Sequence, residues 1–432
     1  MLDGRSVCEP IPQQWHYYGD YRSTLWSPLP DIDYTCYGLN RADMMRFDPV
    51  AMMAIGTVQE ALEHAGFKLE PKDSRGSRLQ IANTNPARTG VYFGTGIGGI
   101  NTTLSTHSYH SMNRIRNSLD SVANNTNQDD DKKLKVAIEH ISLARRFNPL
   151  AVTLLMSNAV AAAPGVRFGI TGPCKTTTVA CASGTASVAE GFRAIHDGRV
   201  DLAIVGASEY LFDDYGSIFR AYDITAAMTH GIDDPHRANR PFDEDRRGFL
   251  FSEGGAAALV LERASSAISR GVQPLAELIA AHESFDGYNM LAMEPSGESM
   301  ERMIRDTIAA GGIKATDLDY VNAHGTGTEM NDAIETEVLA RVVSKDTLIN
   351  SSKGLIGHTI GASGAIEAAV TALSIRDQRV HPCLNLDNPL RELNFPRQAT
   401  NARIDYALSQ SFAFGGHNAC LLMKQLPNNQ NS

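Results

Sequence analysis

The sequence predicts an α/β protein built on a largely parallel sheet with helices on both faces. Three observations carry this reading. Short apolar or β-branched runs alternate with amphipathic helical stretches along the 432 residues. The chemically distinctive residues follow the C-terminal ends of those runs, where open α/β sheets place their sites. Two Gly-Gly turns, at 254–255 and 415–416, each feed a strand, which points to an internal duplication.

Composition sets outer bounds. Hydrophobic residues at 43% and charged residues at 20% are ordinary for a globular enzyme with a full core. A net charge of −10 argues against broad nucleic-acid binding and requires a local basic patch for any acidic partner. No apolar run is long enough to span a membrane, and no signal segment opens the chain. Six scattered cysteines without metal-type pairing suggest reduced thiols and a cytoplasmic protein, with no metal centre.

In chain order, residues 1–35 are aromatic and proline-containing and read as packed, mostly irregular chain. A helix follows with Asp48 as N-cap and Pro49 at its first position. It runs to Gly66 and buries Ala51, Ile55, Val58 and Leu62. Thr89 to Phe93 reads as a strand that enters a glycine-rich turn, Gly94-Thr95-Gly96-Ile97-Gly98-Gly99. A lone glycine motif is weak evidence for a dinucleotide loop, and no acidic ribose partner follows. A tight turn past a substrate channel fits better. Residues 102–146 read as a polar insertion, with a solvated loop tip flanked by helical pieces.

The β-branched run Thr176 to Val179 leads into Cys181 and then into a helix with Val188, Phe192 and Ile195 on one face. Gly198 stands at its C-terminal end. A cysteine at a strand-to-helix turn lies near the positive end of a helix dipole, which favours thiolate. A lone cysteine is more often a packing residue. Further strands are expected at Asp201 to Gly206, Ala256 to Leu261, around Tyr406, and at Asn418 to Met423.

Three motifs in the second half tip the balance towards chemistry. Tyr320-Val321-Asn322-Ala323-His324-Gly325-Thr326-Gly327-Thr328 ends a strand in a glycine- and threonine-rich loop. Ser351-Ser352-Lys353-Gly354-Leu355-Ile356-Gly357-His358 does the same and enters a small-residue helix. Phe412-Ala413-Phe414-Gly415-Gly416-His417-Asn418 turns between two strands. Two histidines, each beside glycine and each at a strand end, are a pattern that catalysis explains better than packing.

These motifs resemble the β-ketoacyl-ACP synthases of the elongating Cys-His-His type, as do Arg240-Pro241-Phe242-Asp243 with its continuation to Gly255 and Leu384 to Pro389. The resemblance runs from about Gly38 to Lys424. It implies a thiolase-like fold of two duplicated halves in a five-layered αβαβα arrangement, each half with a five-stranded sheet. The halves are expected at residues 1–265, carrying the cysteine, and 266–432, carrying the two histidines.

The implied reaction is a decarboxylative Claisen condensation. An acyl group passes from the phosphopantetheine of acyl carrier protein to Cys181. Malonyl-ACP then loses carbon dioxide, and its carbanion attacks the thioester to give 3-oxoacyl-ACP. No bound cofactor is implied. By the same resemblance, the backbone N–H groups of Cys181 and Phe414 form the oxyanion hole, and Phe414 is also a gate. His324 and His358 hold the malonyl carbonyl, and Lys353 orients His358. Thr326 and Thr328 match pantetheine contacts, and Ile97 and Ile100 match the acyl pocket. Asn322, Glu335, Glu367 and Ser409 match either a buried polar network or a monovalent-cation site. Arg46, Arg145 and Arg146 match the surface that docks the carrier. A dimer of like or related subunits is implied.

The sequence also departs from the family pattern. The family normally opens with a hydrophobic strand and a Gly-rich turn before the segment that Leu2-Asp3-Gly4-Arg5-Ser6 resembles. The expectation is therefore one central strand fewer. Ala413 replaces a usual glycine, and Leu291 stands where a hydroxyl is common. With the insertion, these changes suggest an unusual acyl chain or a specialised pathway. Two other readings are a non-catalytic chain-length subunit, which usually lacks the nucleophile, and a thiolase, which needs a second cysteine as base. Retained Cys181, His324 and His358 argue against the first. Cys420, inside an expected strand and without a glycine setting, argues against the second.

Overall fold

The computed structural model describes residues 1–74, 76–123 and 148–427. Nine strands form its two large sheets. They are β1 (Thr89–Gly94), β2 (Cys174–Thr177), β3 (Leu202–Tyr210), β4 (Gly254–Glu262), β5 (Glu277–Phe285), β6 (Tyr320–Asn322), β7 (Leu348–Asn350), β8 (Tyr406–Phe412) and β9 (His417–Lys424). The first sheet has the order β2-β1-β3-β4 and the second β7-β6-β8-β9-β5. In each, the three strands that carry site loops are parallel and the next runs antiparallel; Gly254 and Gly255 are the first two residues of β4, whereas Gly415-Gly416 turns ahead of β9. This repeated order is the expected duplication, although only one of the two Gly-Gly pairs forms a turn.

The helices complete the layers. They are α1 (Pro49–His64), α2 (Ile100–Ala123), α3 (Ala159–Arg167), α4 (Ser183–His196), α5 (Glu298–Ala310), α6 (Glu329–Val342) and α7 (Ser363–Asp377). Helices α1 and α3 cover the outer face of the first sheet, and α5 packs on the outer face of the second and against α6. Helices α4 and α7 lie together between the sheets. Glycine makes that central contact possible. A Cβ on Gly184 would stand 2.4 Å from the Ala365 nitrogen, and one on Gly364 2.1 Å from Thr185 Oγ1. Apolar residues of both sheets and both helices, including Tyr92, Val188, Val205, Tyr320, Ala368 and Leu421, form one core between them.

Local expectations hold in most places. Asp48 caps α1 by accepting from Val50 N at 3.2 Å, Pro49 takes the first position, and Ala51, Ile55, Val58 and Leu62 are buried. Helix α1 ends at His64, with Gly66 just beyond in the left-handed region at φ 77°. The first 35 residues are mostly irregular and bury Trp15 and Trp26.

Two expectations need correction. The first sheet has four strands among the described residues, not five. The position that β5 fills beside β9 has no counterpart beside β4, so the gap lies at a sheet edge rather than at its centre. An apolar cavity of about 570 Å³, lined by Val188, Phe192, Leu259, Leu261 and Leu278 among others, runs along that edge. Strands β3 and β8 are longer than expected, because small and polar buried residues beyond Gly206 still pair with β4 and those around Ser409 with β9. The insertion begins as helix, as expected of the piece that flanks its tip. Asp48 Oδ2 accepts from both the nitrogen (3.0 Å) and the hydroxyl (2.6 Å) of Thr102 in the first turn of α2, so one carboxylate caps two helices. The polar run at 124–133 lies outside the described residues.

Candidate active site

Cys181 sits where the sequence placed it, in a single 3-10 turn (Ala180–Ala182) between β2 and α4. Its predecessor Ala180 has φ 48°, a left-handed conformation that costs a non-glycine residue about 1 kcal/mol or more. The same turn recurs before α7, where Ile360 has φ 50°. Cys181 is therefore one of two pseudo-equivalent turns meeting at the centre of the molecule.

Burial dominates the thiol. Desolvation pushes the Cys181 pKa up to about 12, while the Lys353 charge and the backbone N–H groups of Phe414 and of Cys181 itself pull it down. This corrects the sequence expectation of a resident thiolate: the dipole helps but does not outweigh the loss of water. Those two N–H groups converge on the sulfur.

An imidazole lies beside the thiol. His358 Nε2 lies 3.1 Å from Cys181 Sγ, and its Nδ1 lies 2.9 Å from Ser363 Oγ. Burial, and then the Lys353 charge, hold the imidazole pKa well below its ordinary value, so it is neutral near pH 7. Ser363 Oγ also lies 3.0 Å from Thr359 Oγ1. A hydroxyl can donate or accept, so Ser363 supports either tautomer of His358.

His324 is fixed differently. Its ring centroid is 5.5 Å from that of His358, with the planes nearly perpendicular. Lys353 Nζ lies 3.2 Å from His324 Nδ1 and donates to the His324 carbonyl oxygen at 2.7 Å. Lysine only donates, so His324 Nδ1 accepts and its proton stays on Nε2. Burial lowers this imidazole pKa well below the ordinary range too. Lys353 thus orients His324, not His358 as the resemblance implied. Lys353 is itself buried and ion-paired with Glu367.

The backbone at His324 is held from below. Glu335 Oε1 accepts from His324 N and Oε2 from Gly325 N, both at 2.7 Å, and Gln410 Nε2 donates to Oε1 at 2.8 Å. Asp332 accepts from Gly327 N and Phe242 N, which ties the histidine loop to the Arg240–Asp243 motif. Asp243 in turn accepts from Asp387 N and Asn388 N, so the two outlying motifs form one support under the site.

The remaining predicted residues divide. Thr326 and Thr328 stand together, with their hydroxyls 2.9 Å apart. Ile100 packs on the cluster that contains Cys181, whereas Ile97 is 37% exposed. Asn322 and Ser409 are register partners on β6 and β8. The Asn322 amide, Ser409 Oγ and Glu367 Oε2 are buried without a partner within hydrogen-bond distance. Glu335 faces the His324 backbone and Glu367 faces Lys353, so the four residues are split between two tasks. Ala413 is buried in the Cys181 cluster, and its N–H donates to the His417 carbonyl at 2.9 Å. Arg46 is exposed and lies 3.9 Å from Asp43, while Arg145 and Arg146 lie outside the described residues. Cys420 packs in the core of the second half and Cys181 in a separate cluster.

Sequence reasoning missed Ser363 and Glu209. A serine five residues after a histidine carries no pattern of its own. Glu209 sits at the end of a strand whose expected limit was Gly206.

Fold and site together define an acyl-transferring enzyme of the thiolase-like class, with a buried thiol between an imidazole base and two backbone donors. Comparison with known proteins narrows this. Residues 1–267 match the N-terminal domain of beta-ketoacyl synthase, and residues 275–387 match its C-terminal domain. The chain is 28% identical over 431 residues to 3-oxoacyl-[acyl-carrier-protein] synthase 2 of Synechocystis, covering 98% of this chain and 92% of that one. It is 31% identical over 393 residues to the protein of the same name from Staphylococcus aureus, covering 90% and 84%. A beta-ketoacyl synthase crystal structure from Burkholderia phymatum superposes with a TM-score of 0.81 at 27% identity, covering 98% and 93%. The chain belongs to the β-ketoacyl synthase family.

Proposed function

We propose that the protein is a 3-oxoacyl-[acyl-carrier-protein] synthase with Cys181 as acyl carrier. The observation that carries this is the pairing of Cys181 with His358 at 3.1 Å, beside a second imidazole whose N–H is fixed by Lys353.

In the first half-reaction, Cys181 Sγ attacks the acyl thioester and its proton passes to His358 Nε2. The developing oxyanion takes the N–H groups of Cys181 and Phe414. The pantetheine carbon–sulfur bond breaks, and His358 returns the proton to the departing thiolate. The Nδ1 proton then passes through the Ser363 hydroxyl to solvent and Nε2 takes a proton from solvent, so that Ser363 donates to Nδ1 and His358 carries its proton on Nε2. In the second half-reaction, the Nε2–H groups of His324 and His358 hold the malonyl thioester carbonyl. The bond to the carboxylate breaks, carbon dioxide leaves, and the electron pair resides on the enolate. Its carbon attacks acyl-Cys181, the new carbon–carbon bond forms, and the Cys181 thiolate departs to be reprotonated from solvent. Neutral imidazoles suit this task, since each retains one donor and no charge that would protonate the carbanion.

Thr326 and Thr328 hold the pantetheine arm, Ile97 and Ile100 border the acyl chain, and the Phe414 side chain gates the space between. The unpartnered oxygens of Asn322, Ser409 and Glu367 fit a monovalent cation as well as they fit an ordered water. A cation there would add positive charge behind Lys353. Arg46, Arg145 and Arg146 supply basic contacts for an acidic carrier. The halves, 1–265 and 266–432, divide the labour between nucleophile and histidines. The working unit is a dimer in the cytoplasm. No described helix is long and apolar enough to cross a membrane.

Purified protein given an acyl-ACP and malonyl-ACP yields 3-oxoacyl-ACP and carbon dioxide in equal amounts. Absence of both products from folded protein would refute the reading. Release of carbon dioxide without condensation would favour the chain-length-subunit reading.

A further inference from the structure

Glu209, at the end of β3, is a wholly buried carboxylate with no part in the chemistry above. Its Oε2 accepts from the backbone N–H of Gly96 and from that of Gly361, the latter at 3.1 Å. Its Oε1 accepts from Ile97 N at 3.3 Å and from the Thr95 hydroxyl at 3.3 Å. Gly96 and Ile97 belong to the turn after β1, in the first half. Gly361 belongs to the strained turn after His358, in the second. One carboxylate therefore gathers three main-chain donors from both halves.

The two turns touch directly. A Cβ on Gly361 would lie 2.1 Å from the Gly96 nitrogen, and one on Gly96 would lie 2.6 Å from Glu209 Oε2 and 3.0 Å from the Ile360 side chain. Ile360 belongs to the same buried cluster as Cys181 and Ile100. The carboxylate thus holds the wall on which an acyl chain from Cys181 would lie. The groups that polarise the malonyl carbonyl are held elsewhere: His324 by Lys353 and Glu335, His358 by Ser363 and, through its own N–H, by the Leu250 carbonyl at 2.7 Å.

We propose that Glu209 is a positioning residue that locks the Ile97 turn to the Ile360–Gly361 turn and so sets the rate and chain-length preference of Cys181 acylation. Decarboxylation of malonyl-ACP does not depend on it. The proposal rests on the condensing reading above. A glutamine in its place would turn one acceptor oxygen into a donor facing other donors, and at least one N–H would lose its partner.

The test separates the two half-reactions in wild type, Glu209→Gln and Thr95→Val, the last removing the hydroxyl that donates to Glu209 Oε1 and accepts from Gly98 N within the same turn. Single-turnover acylation is measured from octanoyl-ACP and from acetyl-ACP, and carbon dioxide release is measured from malonyl-ACP alone. For Glu209→Gln, octanoyl transfer falls about tenfold or more, acetyl transfer about twofold, and carbon dioxide release stays within about twofold. Thr95→Val shows the same order at about two- to threefold for octanoyl transfer. Equal loss of both half-reactions, or no change in octanoyl transfer, overturns the proposal. Should Glu209→Gln fail to fold by circular dichroism, Thr95→Val decides by the same criteria. Failure of wild type itself to take an acyl group overturns the condensing reading, and the proposal with it.

Discussion

His358 Nε2 stands 3.1 Å from Cys181 Sγ, and burial holds both partners in their neutral forms. The nucleophile is therefore generated during attack rather than stored as thiolate. On the proposed reaction His358 has two tasks, base in acyl transfer and hydrogen-bond donor in decarboxylation, and the Ser363 hydroxyl suits both.

Alkylation exposes the resting state of that thiol. With the Cys181 pKa pushed up to about 12, the thiolate fraction rises through the alkaline range. Inactivation by iodoacetamide accelerates steadily from pH 7 to pH 10, roughly in step with hydroxide concentration. A rate already level at pH 7 would mean a preformed thiolate–imidazolium pair and contradict the assignment.

The buried Lys353–Glu367 pair gives a second prediction. Lys353→Met leaves a buried carboxylate unpaired, which costs roughly 3–5 kcal/mol and lowers the thermal midpoint. The double variant Lys353→Met/Glu367→Leu regains most of that stability. It does not regain activity, because His324 Nδ1 has lost its donor and the ring no longer keeps its proton on Nε2. Carbon dioxide release from malonyl-ACP falls about 100-fold in both variants. Recovery of that release in the double variant would show that Lys353 acts only as structural support.

Glu335 links stability to pH. Desolvation raises its pKa from 4.5 to about 7, against the pull of the Gly325 and His324 N–H groups and of Gln410. Between those values the folded state binds more protons than the unfolded chain. The contribution of this group is therefore full below pH 4.5 and is lost as pH rises through about 7. Denaturant melts show stability declining across that window, and Glu335→Gln reduces the slope. An identical slope in the variant would remove Glu335 from the account.

Much of this was legible in the sequence because chemistry and local structure coincide there. Cys181, His324 and His358 each follow a strand in a small-residue turn, and Asp48-Pro49 marks a helix start without further context. What was not legible depends on contacts between distant segments. The thiol at Cys181 reads as activated from its helix, but its pKa follows from burial in a cluster assembled from distant parts of the chain. Lys353 lies five residues from His358 in sequence yet its side chain reaches His324, because the turn of helix between them points it across the site. Glu209 had no pattern to find, since its three donors come from turns 112 to 152 residues away. That the gap lies at a sheet edge emerged only from comparison of the four-stranded first sheet with its five-stranded twin.

The central claim is that Cys181 carries the acyl group. Intact-mass measurement after incubation with acyl-ACP tests it most directly. Wild type gains the mass of one acyl group per chain, and Cys181→Ala gains none. An unmodified wild type with native circular dichroism, or an equal adduct on Cys181→Ala, would contradict it.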